Sequence, residues 1–479
     1  MNYRMIKYTL GWLLMFETGF FLVPLLTALI YRESAVFSIL ISMAITAACA
    51  GLCLIRKPKN QKLYARDGFA IVALSWIFLS IFGALPFVIS GSIPNYVDAL
   101  FETVSGFTTT GASVLSDVES MPKSMLMWRS FTHWVGGMGV LVFIMAFIPL
   151  SGARNLHIMK AESPGPEVSK LVPKMKTTAL ILYAIYFVLT FVQFIILLIG
   201  KMSVFEALNT VFATAGTGGF GFKNDSFASF SPFIQIVVTV FMLIFSLNFS
   251  SYYLLFKGKL KEAFNLEIRV FCYIVIASIA IISINLIMTE TIIDVGDSIR
   301  HSAFSVASII STTGFTSVNF DLWPTISKVI LVLTMFIGAC AGSTGGGIKV
   351  SRIIILIKGV IREFRYALNP RQVKKISIDS KPIDDEVVRS VNSYIVCYIV
   401  VFVASVFAIS FEGHDLVTTF TSVAATINNI GPGLAKVGPA GNFAFFSIPS
   451  KLILAFDMLA GRLELLPMLL LFHPATWKK

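Results

Sequence analysis

Four short segments of this 479-residue chain end in a polar or small residue followed by glycine, and each lies between two long hydrophobic stretches. They read FETVSGFTTTGAS around Gly111, ALNTVFATAGTGGF around Gly218, FSVASIISTTGFTS around Gly314 and FTSVAATINNIGPG around Gly431. The glycines are 107, 96 and 117 residues apart, so one unit is written four times. Any fold for this chain must put four copies of the same helix-breaking signal in equivalent places.

Composition decides the solvent. Hydrophobic residues make up 56% of the chain and charged ones 13%, about half the charged share of a soluble protein. Mean hydropathy is +0.82. One aqueous core cannot absorb that much apolar surface, so the reading is an all-α membrane protein of many crossings. The net charge of +12 does not point to nucleic acid, because the bases are scattered over short segments between apolar runs.

Runs long enough to cross about 30 Å of hydrocarbon fall at residues 10–30, 37–55, 69–89, 125–150, 178–200, 232–256, 270–288, 326–361 with an interruption, 391–411 and 447–472. That predicts ten spans. The first is too long for a signal peptide, lacks a small-residue cleavage site and is followed at once by a second. With the amino terminus inside and the basic segment 352–389 counted as inner, 27 of the 38 Lys and Arg fall in cytoplasmic segments, while acidic residues show no such bias. Both termini are therefore expected in the cytoplasm.

Nothing in the chain suggests an enzyme. Cys49, Cys53, Cys272, Cys340 and Cys397 lie in hydrophobic runs without a CxxC pair, and the five histidines are dispersed. No GxSxG, HExxH or GxxxxGK[ST] sequence occurs. The expectation is a protein without a tightly bound cofactor and without a metal site beyond a monovalent cation at the four segments.

Each of those segments opens with Asp98, Ser203, Asp297 or Asp415, continues for about one and a half to three turns, and ends at its glycine. That is too short to cross, so each is expected to enter from outside and turn back, which backbone at membrane depth tolerates only inside protein or beside water. Four such helices around one axis would aim their negative carboxyl ends at a central cavity and stabilise a cation there. Carbonyls at Thr109, Thr110 and Gly111, at Gly216, Thr217 and Gly218, at Thr312, Thr313 and Gly314, and at Asn429, Ile430 and Gly431 could then replace an ion's hydration shell. The competing reading makes these small residues helix-packing positions. Likewise the acidic openers serve as helix N-caps or attract cations to the outer mouth.

Two features mark the interior. The eighth crossing contains GACAGSTGGGIKVSR, where Gly342, Ser343, Thr344, Gly345, Gly346 and Gly347 should break the helix into a polar loop below the four segments. Arg462, in DMLAGRLELLP, is a charge inside the last span. It either pairs with Asp457 or Glu464, or faces the pathway and raises the barrier to cations.

The fourfold pattern, the sequences TTTGAS, TGGF, STTGF and NNIGPG, the run WRSFTHWVGGMG and the loop AGSTGGGIKVSR together resemble the TrkH/KtrB superfamily of potassium transporters. The resemblance covers about residues 64–472, and the additional amino-terminal spans favour its TrkH branch. It implies potassium uptake across a bacterial cytoplasmic (inner) membrane by a channel-like homodimer with one pore per subunit. Gly111, Gly218, Gly314 and Gly431 would be the filter glycines, residues 343–347 the gating loop, and Arg462 the pore-facing arginine. A cytosolic TrkA-like nucleotide-binding subunit would regulate it. The basic segment 352–389 would meet that partner or anionic membrane lipid.

The expected organisation is a two-helix extension over residues 1–63 and four pore repeats over 64–152, 153–258, 259–368 and 369–479. Filters shorter than those of tetrameric potassium channels imply looser exclusion of sodium, so preference for potassium rests on the resemblance. A secondary transporter of a small solute with broken helices, a sodium-coupled cation symporter and a membrane scaffold are the other classes considered.

Overall fold

The structure is a computed structural model, and it describes residues 1–58, 64–137, 139, 175–370, 375–379 and 381–477. Among the described residues six helices are long and apolar enough to cross a bilayer: Tyr3–Tyr31, Ala35–Leu54, Arg66–Ile89, Thr177–Ile199, Leu266–Met288 and Asp385–Ser410, with mean hydropathy from 2.0 to 2.6. A seventh is added if Pro232–Phe245 and Phe249–Phe256, which meet at 91°, form one span. The expected 125–150 crossing is seen as the helix Lys123–Gly137, and its continuation past Gly139 lies outside the described residues. Of the ten runs read from hydropathy, those at 10–30 and 69–89 continue through single-residue breaks at Phe21 and Ala84, while those at 232–256, 326–361 and 447–472 are each divided between two helices by a longer break.

The division at 326–361 was expected from its glycines, and the other two were not. Thr325–Ile337 ends at Gly338 and Val350–Leu368 resumes twelve residues later. In the last run, Ile448–Arg462 stops where Glu464 and Leu465 take positive φ of 58° and 65° before Leu466–Phe472 begins. At Phe245 the helix yields to Ser246–Leu247, and Asn248 caps the next one by accepting from the Ser250 amide at 2.8 Å. Hydropathy cannot register such a bend, because both halves are equally apolar. Among the described residues the regular structure is helical except for a two-stranded antiparallel pair, Ser377–Ile378 with Lys381–Pro382.

Beside a buried apolar core, large apolar side chains also stand on the surface and many polar ones are buried. Ile30, Phe37, Tyr273, Ile276 and Phe256 stand on the outer surface, whereas Thr108, Thr110, Asn209, Ser311, Thr313 and Asn428 are fully buried. Apolar surface on that scale is stable against lipid rather than water. The polar interior gathers around four short helices, Tyr96–Phe107, Val204–Ala215, Val295–Ile310 and Leu416–Ile427. Twelve residues span about 18 Å, so three of the four cannot cross alone.

The starts of these helices refine the sequence reading. Ser203 and Asp415 are N-caps, accepting from the amides of Glu206 and Thr418. Asp98 and Asp297 sit inside the first turn instead, capped by Asn95 and Asp294. Freed from capping, Asp98 pairs with Lys451 at 2.6 Å and Asp297 with Arg300 at 2.9 Å.

Candidate functional site

The four short helices end with the same hydrogen-bond pattern. The amide of Thr109 donates to Gly106 O at 3.1 Å and that of Thr110 to Ser105 O at 2.9 Å. Thr217 and Gly218 repeat this onto Thr214 and Ala213, Thr312 and Thr313 onto Ile309 and Ser308, and Asn429 and Ile430 onto Thr426 and Ala425. This is the helix-ending motif that requires a left-handed residue just past the cap. Here that residue is Thr109, Thr217, Thr312 or Asn429, with φ of 56°, 54°, 60° and 56°. Three threonines in a conformation that suits glycine are strained at about 1–2 kcal/mol each. Such strain persists only where surrounding contacts hold it.

Two residues further, each loop turns left-handed again, now at glycine: Gly111 (φ 80°), Gly219 (78°), Gly314 (87°) and Gly431 (93°). The second loop therefore differs from the sequence reading by one position. Gly219, not Gly218, is the counterpart of Gly111, and Gly216, Thr217 and Gly218 correspond to Thr108, Thr109 and Thr110. Two consecutive glycines in AGTGGF made the register illegible by composition.

The reason for glycine is a close approach between loops. A β-carbon on Gly111 would lie 2.0 Å from Gly218 O, one on Gly219 1.9 Å from Thr313 O, one on Gly314 2.1 Å from Ile430 O, and one on Gly431 2.8 Å from Thr110 O. First loop touches second, second third, third fourth, and fourth first, which closes a ring. Among the described residues no amide donates to the carbonyls of Thr109, Thr110, Thr217, Gly218, Thr312, Thr313, Asn429 or Ile430. Eight unpaired carbonyls, with four helix carboxyl ends arriving beside them, make the ring a concentrated site of negative potential.

The glycine-rich loop lies against two of these helix ends. Gly346 N donates to Thr312 Oγ1 at 2.6 Å and Gly347 N to Asn428 O at 3.1 Å. The backbone has positive φ at Gly338, Gly342, Gly347 and also Lys349, whose ammonium group bonds Gly345 O. On its other side the loop is seated in the bend between Phe245 and Phe249: Cys340 N donates to Ser246 O and Phe249 N to Gly342 O, both at 3.0 Å, and Thr344 Oγ1 to Phe245 O at 3.1 Å. Glu267 Oε1 accepts from Ala341 N at 2.8 Å and from Ser351 N at 3.1 Å, stapling both ends of the loop.

Arg462 reaches the same place. Its guanidinium donates to Thr344 O and Gly137 O at 2.7 Å and to Gly136 O at 2.5 Å, joining the glycine loop to the end of the Lys123–Gly137 helix. Of the two acids considered for it, Glu464 forms an ion pair with Arg352, and Asp457 accepts from Ser405 at 2.7 Å. The bonds to three backbone carbonyls are an arrangement that neither expectation for Arg462 contained.

Sequence reading missed Glu102, Arg129, His133, Asn248 and Glu267. Two of them stood in view: Arg129 and His133 are four residues apart in WRSFTHWVGGMG, hence on one helix face. His133 Nε2 accepts from Phe220 N at 3.1 Å, so Nδ1 carries the hydrogen donated to Gly106 O at 2.7 Å. Gly136 and Gly137 let this helix press against the loops, since β-carbons there would lie 1.8 Å from Phe107 O and 2.7 Å from the Gly216 α-carbon.

Apolar spans around a polar interior that closes into a ring of carbonyls define an integral membrane protein with an interior suited to cations. The family described as TrkH, cation transport protein, matches residues 35–479, and the chain belongs to that family. It is 36% identical over 487 residues, covering all of both chains, to the Trk system potassium uptake protein TrkH of Escherichia coli (strain K12). It is 32% identical to the TrkG protein of the same organism over 99% of each chain. The crystal structure of the potassium transporter TrkH from Vibrio parahaemolyticus superimposes with a TM-score of 0.90 at 33% identity, again over the full length of both.

Proposed function

We propose that this protein carries potassium into the cell through the ring formed by the four loops. The observation that carries the reading is the closed cycle of glycine-to-carbonyl contacts, which leaves paired layers of unbonded carbonyls at Thr109, Thr217, Thr312 and Asn429 and at Thr110, Gly218, Thr313 and Ile430. A potassium ion entering it exchanges water oxygens for carbonyl oxygens, and the four helix ends offset the cost of losing bulk water. The names of the relatives, potassium uptake proteins, agree with that cargo.

On this reading the chain makes ten crossings, an amino-terminal pair followed by four tandem units, in the cytoplasmic membrane with both termini inside. Gly342, Ser343, Thr344, Gly345, Gly346 and Gly347 form the gate, and Arg462 both holds that loop and places positive charge below the ring. Two chains form a homodimer, each with its own pathway, and a cytosolic TrkA-like nucleotide-binding subunit opens it. The interrupted helices favour this over an inverted-repeat transporter: the breaks after Phe245, Ile337 and Arg462 follow three successive loops in parallel order.

Proteoliposomes of the purified chain test the reading. Rubidium uptake down its gradient, blocked by excess potassium and not by equal sodium, is the expected result. Uptake that stops without a sodium or proton gradient would assign the chain to coupled symport instead.

A further inference from the structure

The ring is fourfold in its backbone but not in what supports it. Glu102, on the first short helix, and Arg129, on the return helix, form an ion pair at 2.7 Å, with side chains 0% and 2% exposed. The other bonds of these two side chains run to the limbs that leave the ring. Glu102 accepts from Ser113 Oγ at 3.0 and 3.2 Å and from Val114 N at 3.0 Å, just past Gly111. Arg129 donates to Gly221 O at 3.1 Å, just past Gly219, and to Ser113 Oγ at 3.3 Å. Its guanidinium also lies 4.1 Å from the centre of the Phe220 ring, whose amide is held by His133.

No other loop has a charge in this place. The residues nine before Gly219, Gly314 and Gly431 are Thr210, Ser305 and Ser422. Thr210 Oγ1 and Ser305 Oγ are buried without a hydrogen-bond partner. A charged pair buried in this setting is a poor source of stability, since losing water costs about as much as the attraction returns. What it does supply is geometry, because a planar guanidinium with fixed donor directions ties the Gly221 carbonyl and the Glu102 carboxylate to one plane.

We propose that Glu102 and Arg129 are positioning residues for cation discrimination: their pair fixes the first and second loops against each other and so sets the spacing of Thr110 O and Gly218 O in the ring. The inference rests on the transport reading above. Loops three and four have no equivalent, so the pair acts on one side of the ring, between Gly111 and Gly218.

The test measures bi-ionic reversal potentials, potassium against sodium, for the purified protein in planar bilayers, alongside thermal stability of the same samples. Glu102→Gln keeps shape and removes the charge; Arg129→Lys keeps the charge and loses the fork that reaches Gly221. Ser113→Ala, at a half-buried position, leaves the ion pair in place and guards against variants that fail to fold. All three are expected to lower the potassium-to-sodium permeability ratio severalfold, Ser113→Ala least, while total cation conductance persists. A purely structural pair would lower the melting temperature and leave the ratio unchanged. Folded variants with the wild-type ratio, Ser113→Ala alone included, overturn the proposal. A wild type that does not discriminate cations would instead overturn the transport reading, and this inference with it.

Discussion

Gly314 faces the carbonyl of Ile430 so closely that a β-carbon on Gly314 would stand 2.1 Å from that oxygen and 2.9 Å from Pro432 Cδ. The contact joins two loops 116 residues apart in the chain. Since neither neighbour is the free end of a flexible side chain, adding a methyl group must move backbone.

Gly314→Ala is therefore expected to lose or broaden cation selectivity while the protein still inserts and folds. Gly413 provides the control: its φ is 73° but nothing lies within 4 Å of where a methyl group would stand, so Gly413→Ala bears only the backbone cost of about 1–2 kcal/mol. Permeability ratios measured on both variants decide the matter. Equal selectivity in the two would mean that the ring does not sort ions.

Arg462→Ala removes a positive charge and three hydrogen bonds to Thr344, Gly136 and Gly137. On the proposed reading both losses act in one direction, loosening the glycine loop and lowering the barrier to cations. Rubidium uptake should rise in folded protein. Decreased uptake with a normal melting temperature would make Arg462 part of the pathway rather than its obstacle.

Glu267 offers a way to release the loop without touching the ring. Glu267→Ala leaves the amides of Ala341 and Ser351 without their acceptor, at about 1–3 kcal/mol for each buried group. Basal flux should increase and its dependence on a cytosolic partner should weaken. Glu267→Gln retains an oxygen at the same position and should stay near wild type, a contrast readable in one set of flux assays.

Asn224, past Gly219, is tied to the segment 117–119, past Gly111. It accepts from Val118 N at 2.8 Å, donates to Asp117 at 2.8 Å, and its amide donates to Glu119 at 3.0 Å. The Asn224 bond holds the Asp117 carboxyl below the usual aspartate range. A lowered folded-state value means that this contribution is present above the unfolded aspartate range and is lost as pH falls through the folded one. Asn224→Ala should return Asp117 towards the ordinary value, followed by carboxylate NMR, and should speed amide exchange at Val118. An unchanged titration would show that Asn224 does not hold the carboxylate.

Much of this architecture was legible because lipid imposes a local code. An apolar run must be a helix, since a bilayer offers its backbone no other partner, so the runs at 37–55, 178–200, 270–288 and 391–411 reappear as helices within a few residues. The glycines between Gly338 and Gly347 announced a break by their own conformational cost, and the threonine-glycine endings announced where four short helices stop.

What the sequence could not contain is which atoms meet. Gly218 and Gly219 are chemically identical, and only the contact with Thr313 O selects Gly219 as the left-handed one. The bend after Phe245 is bonded through Ser246 and Phe249 to the glycine loop that follows Ile337, a distant partner that hydropathy does not encode. Arg462 was recognisable as a charge in an apolar span, yet its three carbonyl partners come from segments more than a hundred residues away. Hydropathy and backbone preference act over a few residues and so determine the helices and their ends. The ring, its seated loop and the Glu102–Arg129 pair depend on close packing between distant segments, which tertiary structure alone decides.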